Sequence, residues 1–167
     1  MKKNSKIIIF SLSFIFILSG IFFVKQQTKQ KRVYVDMVAD LFHCGHVEFF
    51  KKAKQHGNYL IVGIHSDQDC SGYKRKPILT LEERVRSVQA CRYVDEVIPK
   101  APLIITDELI DKNKIDVVVH GDDFDKEKIK KYYHVPLKRK IFKTVPYTKG
   151  ISTTDILNRI KEKMASI

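Results

Sequence analysis

Apolar positions are spread unevenly along this chain, and their spacing predicts its elements. Residues 7–24 run Ile-Ile-Ile-Phe-Ser-Leu-Ser-Phe-Ile-Phe-Ile-Leu-Ser-Gly-Ile-Phe-Phe-Val without a charge, which is close to the roughly 17–25 residues a helix needs to cross a bilayer core. From Val33 onward, short apolar runs alternate with helical stretches. Val33–Val35 predicts a first strand, and Gly45–His56 a helix with Val47, Phe49, Phe50 and Ala53 as its apolar positions. Tyr59–Ile64 is a continuous apolar run, the pattern of a strand buried on both faces. Thr80-Leu81-Glu82-Glu83 has the form of a capping box opening a helix to about Cys91. A strand is expected at Glu96–Ile98, a short helix from a Thr106 cap through Lys112, and a strong strand at Asp116–Val119. A charged surface helix at Asp125–Tyr133, a final strand at Ile141–Val145 and a closing helix at Ser152–Met164 complete the series. This alternation predicts an α/β fold, a Rossmann-like doubly wound parallel five-stranded sheet preceded by an N-terminal transmembrane helix.

Charge and composition refine this picture. The 167 residues carry a formal charge of +12, but residues 1–32 hold seven basic residues and no acid, leaving 24 basic against 19 acidic residues in the remainder. That mild excess suits phosphate-rich small substrates, and no nucleic-acid recognition element accompanies it. The apolar segment lacks both a polar face and a small-residue cleavage site, since Phe22-Phe23-Val24-Lys25 follows its core; it therefore reads as an uncleaved anchor rather than a core helix or a signal peptide. Residues 1–31 are expected to form an anchor with a basic linker, and 32–167 the domain. Three cysteines without CxxC spacing argue against a disulfide framework.

The candidate chemistry gathers where ligands bind in such sheets, beyond the carboxyl ends of the strands: Asp40–His46 after the first, His65–Asp67 after the second and His120–Asp123 after the fourth. His43 and His46 flank Gly45 at a strand-to-helix junction. Two imidazoles beside free helix N–H groups, with a glycine allowing close approach, can stabilise the charge of a pentacovalent phosphorus. The same letters would also suit a metal pair or two hydrogen-bonded surface histidines. Gly150-Ile151-Ser152-Thr153-Thr154-Asp155 opens the last helix and is a second anion-binding design, although Ser152 or Thr153 could simply be an N-cap.

These residues, with Asp40-Leu41-Phe42-His43-Cys44-Gly45-His46, Tyr59–Asp67, Glu83-Arg84, Cys91–Val97 and Val119-His120-Gly121-Asp122-Asp123, resemble the cytidylyltransferase family over Arg32–Arg159, nearest to its ethanolamine-phosphate and choline-phosphate members. The resemblance implies transfer of CMP from CTP to a phosphorylated small alcohol, phosphoethanolamine first, with Mg2+ accompanying the triphosphate and no metal held by the protein. It implies catalytic roles for His43, His46 and Lys74. Asp40, Gly45, His120, Gly150, Ile151, Ser152 and Thr153 would bind nucleotide, and Asp36, Asp67, Arg84 and Arg92 the phospho-alcohol. As bare residues, Lys74-Arg75-Lys76 suits an exposed loop, His120 a satisfied loop histidine, and Arg84 and Arg92 surface salt bridges on one helix. The implied product serves phospholipid synthesis; the uncharged run makes the protein a single-pass membrane protein, the nucleotide chemistry places its domain on the cytoplasmic side, and the resemblance also implies a homodimer.

The chain departs from the family where an arginine usually stands and Tyr147-Thr148-Lys149-Gly150 is found, at Met37 and Ala39 after the first strand, where a glycine and an aromatic are usual, and at Leu103 where many relatives carry an aromatic. These departures keep open an adenylyl donor, another phospho-alcohol such as glycerol-3-phosphate, or a non-catalytic nucleotide-binding module.

Overall fold

A computed structural model describes residues 29–73 and 75–167. Five strands, β1 (Arg32–Met37), β2 (Tyr59–Ile64), β3 (Glu96–Pro99), β4 (Val117–Gly121) and β5 (Phe142–Val145), form one sheet in the order β3-β2-β1-β4-β5, with every neighbouring pair parallel. The order reverses between β1 and β4. That reversal opens a crevice at their carboxyl ends, because the chain leaves the two strands toward opposite sides.

Strand alternation divides the core into two layers. Val33, Val35, Leu60, Val62, Ile64 and Val119 pack on one face against Phe50 and Ala53 of helix α1 (Cys44–Lys54). Val88 of α3 (Leu81–Gln89) joins the same cluster. Tyr34, Ile61 and Val118 pack on the other face against Ile110 of α4 (Asp107–Lys112) and against Tyr133 and Val135. The sheet is thus wound on both sides. Gly63 permits one unusual feature of the second layer: a Cβ there would meet the Tyr34 side chain and lie 2.7 Å from the Ala101 Cβ, so only glycine lets the Tyr34 ring cross β2.

The expected helix starts at Thr80 and Thr106 are capped by those residues, Thr80 within a full capping box. Two short helices were not evident in the sequence. α2 (Asp67–Tyr73) has no apolar periodicity and is started instead by Ser66, whose hydroxyl accepts from the Asp69 N–H. α6 (His134–Lys138) follows α5 (Lys126–Tyr132) and contains Pro136, which reads as a breaker but is tolerated in a first helical turn. The surface-helix expectation for Asp125–Tyr133 fails at its last residue, because Tyr133 is 1% exposed and belongs to the core. The closing helix α7 spans Thr153–Ala165. Among the described residues no helix is long and apolar enough to cross a membrane, and the apolar run 7–24 lies outside them.

Candidate active site

The start of α1 is closed by its two histidines. His43 is the N-cap in extended conformation, and its Nδ1 accepts from the Gly45 N–H at 3.1 Å. His46 reaches back, and its Nδ1 accepts from the His43 N–H at 3.3 Å. This is a capping box with imidazole nitrogens in place of the usual oxygens. A nitrogen that accepts carries no proton, so each neutral ring holds its proton on Nε2. The rings lie 4.0 Å apart between centroids, and both line a cavity of about 550 Å³ at the strand ends. Burial lowers the His43 pKa and outweighs the opposing pull of Asp155, which keeps the ring in its neutral, capping form. Gly45 is required sterically: a Cβ there would come within 2.9 Å of the His43 ring and 3.2 Å of Ile151 Cγ2.

α7 supplies the facing wall. Gly150 adopts φ +94°, a left-handed turn that suits glycine, and delivers Ile151, Ser152, Thr153 and Thr154 to the cavity. The hydroxyls singled out in the sequence are engaged within the protein. Ser152 Oγ accepts from the Asp155 N–H at 3.1 Å, and Thr153 Oγ1 donates to the Asp40 carbonyl at 2.9 Å. What α7 presents to an anion is therefore its first-turn backbone N–H groups, which no helical carbonyl can reach. The cavity thus lies between two helix N-termini.

Asp40 lines the same cavity, but its carboxylate accepts from the Ile78 and Leu79 N–H groups at 3.0 Å, and Arg75 Nη2 is 3.7 Å away. It ties down the segment before α3. The residues on either side of Asp40, Ala39 (φ 58°) and Leu41 (φ 47°), are both left-handed, a conformation that costs non-glycine residues about 1 kcal/mol or more each. The tight turn is held by these side-chain bonds.

Asp36 and His65 sit at the floor, 7% and 4% exposed. His65 Nε2 is 3.3 Å from Asp36 Oδ2, its Nδ1 donates to the Ala101 carbonyl at 3.1 Å, and the Tyr133 hydroxyl donates to Asp36 Oδ1 at 2.8 Å. Both imidazole nitrogens face acceptors, an arrangement that favours the doubly protonated ring. Burial lowers the His65 pKa, but the hydrogen bond and charge of Asp36, with the Ala101 carbonyl, more than reverse this and leave it raised. His120 Nδ1 donates to the Gly121 carbonyl at 2.8 Å, and its ring packs tilted against Phe124, 4.1 Å between centroids.

Other sequence candidates lie elsewhere. Arg84 is fully buried rather than on the helix surface. Its guanidinium donates to the Leu79, Val38 and His65 carbonyls and to Asp67, joining the ends of β1 and β2 to the start of α3. Asp67 is thereby engaged as the partner of Arg84. Arg92 does not share a helix with Arg84, because α3 ends at Gln89; it lies in the following turn, with its guanidinium 4.9 Å from the Tyr93 ring centroid and outside the cavity lining. Lys74 lies outside the described residues. Arg75, Phe124, Tyr132, Tyr133 and Thr148 line the cavity although the sequence did not single them out. His65, placed by the sequence among the strand-end candidates but given no role there, lines it too.

The profile of the cytidylyltransferase-like family matches residues 36–159. The ethanolamine-phosphate cytidylyltransferase of Dictyostelium discoideum is 45% identical over 135 residues, covering 78% of this chain and 38% of that protein. Its counterpart in Arabidopsis thaliana is 44% identical over 135 residues, covering 77% and 32%. Choline-phosphate cytidylyltransferase A of Homo sapiens is 39% identical over 132 residues, covering 77% and 36%. The chain therefore spans about a third of the length of these relatives. Among solved structures, the lipopolysaccharide core biosynthesis protein from Thermoplasma volcanium GSS1 superposes with a TM-score of 0.58 at 24% identity, covering 73% of this chain and 99% of that one, a likeness of fold.

The raised His65 pKa has a consequence for stability. A group whose folded pKa lies above its unfolded value of 6.5 stabilises fully below that value and loses its contribution as pH rises through the folded one. Urea denaturation of His65→Asn beside the wild type, between about pH 6 and pH 9, should show a stability gap that narrows as pH rises. A gap that stays constant or widens contradicts the charged His65–Asp36 pair.

Proposed function

Because the chain belongs to the cytidylyltransferase-like family, we propose that it transfers CMP from CTP to a phosphorylated small alcohol, phosphoethanolamine in the first place, with release of pyrophosphate. The observation that carries this reading is the reciprocal cap of His43 and His46, which fixes the Nε2–H tautomer of both neutral rings in the lining of a cavity between two helix N-termini. In the proposed reaction an oxygen of the alcohol's phosphate forms a bond to the α-phosphorus of CTP. The bond from that phosphorus to the bridging oxygen breaks, and pyrophosphate leaves with the electron pair. No proton has to move. The histidine Nε2–H groups donate to oxygens whose charge grows in the transition state, and the α7 N–H groups hold the outer phosphates. We assign Lys74, on sequence, to bridging the two substrates' phosphates.

Magnesium would enter with the triphosphate as its counter-charge. The described residues contain no cluster of three or more His, Cys, Asp or Glu side chains able to hold the ion themselves, so no step is assigned to it. The ethanolamine preference is supported by the relatives' names and by the acidic floor at Asp36. We also propose that residues 7–24 anchor the chain in a membrane with residues 32–167 on the cytoplasmic side, where CTP is found and a CDP-alcohol can pass to membrane-bound enzymes. The length of the uncharged run supports the anchor, and the need for CTP supports the orientation.

Pyrophosphate release, assayed over a panel of nucleoside triphosphates and phospho-alcohols, should be greatest with CTP and phosphoethanolamine. His43→Ala and His46→Ala should each lower kcat by about 100-fold or more while leaving CTP affinity within a few fold. Wild-type turnover in either variant, or nucleotide binding without release for every pair, refutes the reaction. Deleting residues 1–31 should move the protein from the membrane pellet to the supernatant with activity retained; continued sedimentation with membranes contradicts the anchor.

A further inference from the structure

The floor of the cavity contains a buried pair for which the phosphate chemistry has no use. Asp36 stands on β1 and His65 directly follows the adjacent β2, with Tyr133 beside them, and all three line the cavity. Resting on the transferase reading above, we propose that His65 sets the head-group specificity: it holds the Asp36 carboxylate as a hydrogen-bond acceptor for a primary ammonium and disfavours a quaternary one.

The argument begins with the acceptor capacity of the carboxylate. It has about four acceptor positions, and Tyr133 and His65 approach one oxygen each. A primary ammonium brings three N–H donors to what remains, whereas a trimethylated nitrogen brings none. Charge points the same way. With both ring nitrogens directed at acceptors, a positively charged His65 offsets the Asp36 charge. A cation then gains little from long-range attraction and must be rewarded through direct hydrogen bonds. Two of the aromatic rings that line the cavity are packed on neighbours, Phe124 on His120 and Tyr133 on both Phe124 and Phe142, which limits what these two can offer a quaternary ammonium. On the remaining side the wall is the aliphatic Leu103.

His65 is a positioning residue and is itself held. Its carbonyl accepts from both terminal nitrogens of Arg84 at 3.1 Å, and its Nδ1 is fixed by Ala101. Around the pair, the described residues include the ionisable groups Tyr34 beside Asp36 on β1, Asp69 on α2, Tyr133 after α5 and His120 of β4 against the Tyr133 ring.

The test uses the full chain with CTP and phosphoethanolamine, its N-methyl and N,N-dimethyl forms, and phosphocholine. Wild-type kcat/KM should fall at each methylation, by about tenfold for each charged hydrogen bond lost. His65→Ala should raise KM for phosphoethanolamine by about tenfold, leave KM for CTP within about twofold, and flatten the methylation series. His65→Gln, which keeps an N–H donor, should restore part of the discrimination and guards against a misfolded alanine variant. A methylation series of unchanged steepness in both variants, or a wild type that uses phosphocholine as well as phosphoethanolamine, overturns the assignment. Calorimetric binding of the same four compounds separates this idea from the reaction itself. Methylation-dependent affinity that is lost in the variants supports the assignment even without turnover, in which case only the transferase reading falls; affinity indifferent to methylation overturns the assignment.

Discussion

The reciprocal cap at the start of α1 ties the folding of this protein to its proposed chemistry. A helix N-terminus leaves several N–H groups without partners, and here two of them are satisfied by imidazole nitrogens. That choice has a consequence no serine or aspartate cap would have. Accepting at Nδ1 forces the proton of each neutral ring to Nε2, so the interaction that starts the helix also fixes which atom can donate to a ligand. The fixed tautomer requires a small residue between the histidines, because the His43 ring occupies the space a Gly45 side chain would need. Protonation of either Nδ1 would remove an acceptor from the cap, and the lowered pKa of His43 opposes this.

Around this cap the strand ends are held by two buried ionic groups with different partners. Arg84 binds carbonyls from the β1 loop, the end of β2 and the loop before α3. Asp40 binds N–H groups of that last loop while its own carbonyl accepts from Thr153 of α7. Both satisfy backbone that would otherwise be buried without partners, at a cost of about 1–3 kcal/mol for each unpaired group. They also bring the start of α1, the segment before α3 and the start of α7 to one cavity, which explains how residues more than a hundred positions apart come to line it.

Much of the fold was legible from the sequence because its signals are local. Tyr59–Ile64 has the bounds its apolar run predicted, and Thr80, Thr106 and Ser152 cap the helices expected to begin after them. The errors arose where tertiary contacts override local pattern. Arg84 carries the sequence signature of a surface residue, yet it is buried because three carbonyls and a carboxylate converge on it from distant segments. Tyr133 ends a stretch rich in lysine and is nonetheless core, because its hydroxyl finds Asp36 almost a hundred residues away. Spacing placed His43, Gly45, His46 and the Gly150–Thr153 turn at one site. It could not reveal that the Ser152 and Thr153 hydroxyls are occupied within the protein, since their partners depend on how α7 docks.

The central claim is that the histidine pair is held as two neutral Nε2–H tautomers by the helix it caps. It is tested most directly by long-range nitrogen–proton correlation spectra of the imidazole rings in uniformly 15N-labelled protein near neutral pH, with assignments from His43→Gln and His46→Gln. Both rings should show the pattern of a protonated Nε2 and an accepting Nδ1. A protonated Nδ1 on either ring, or two imidazolium rings, would contradict the account.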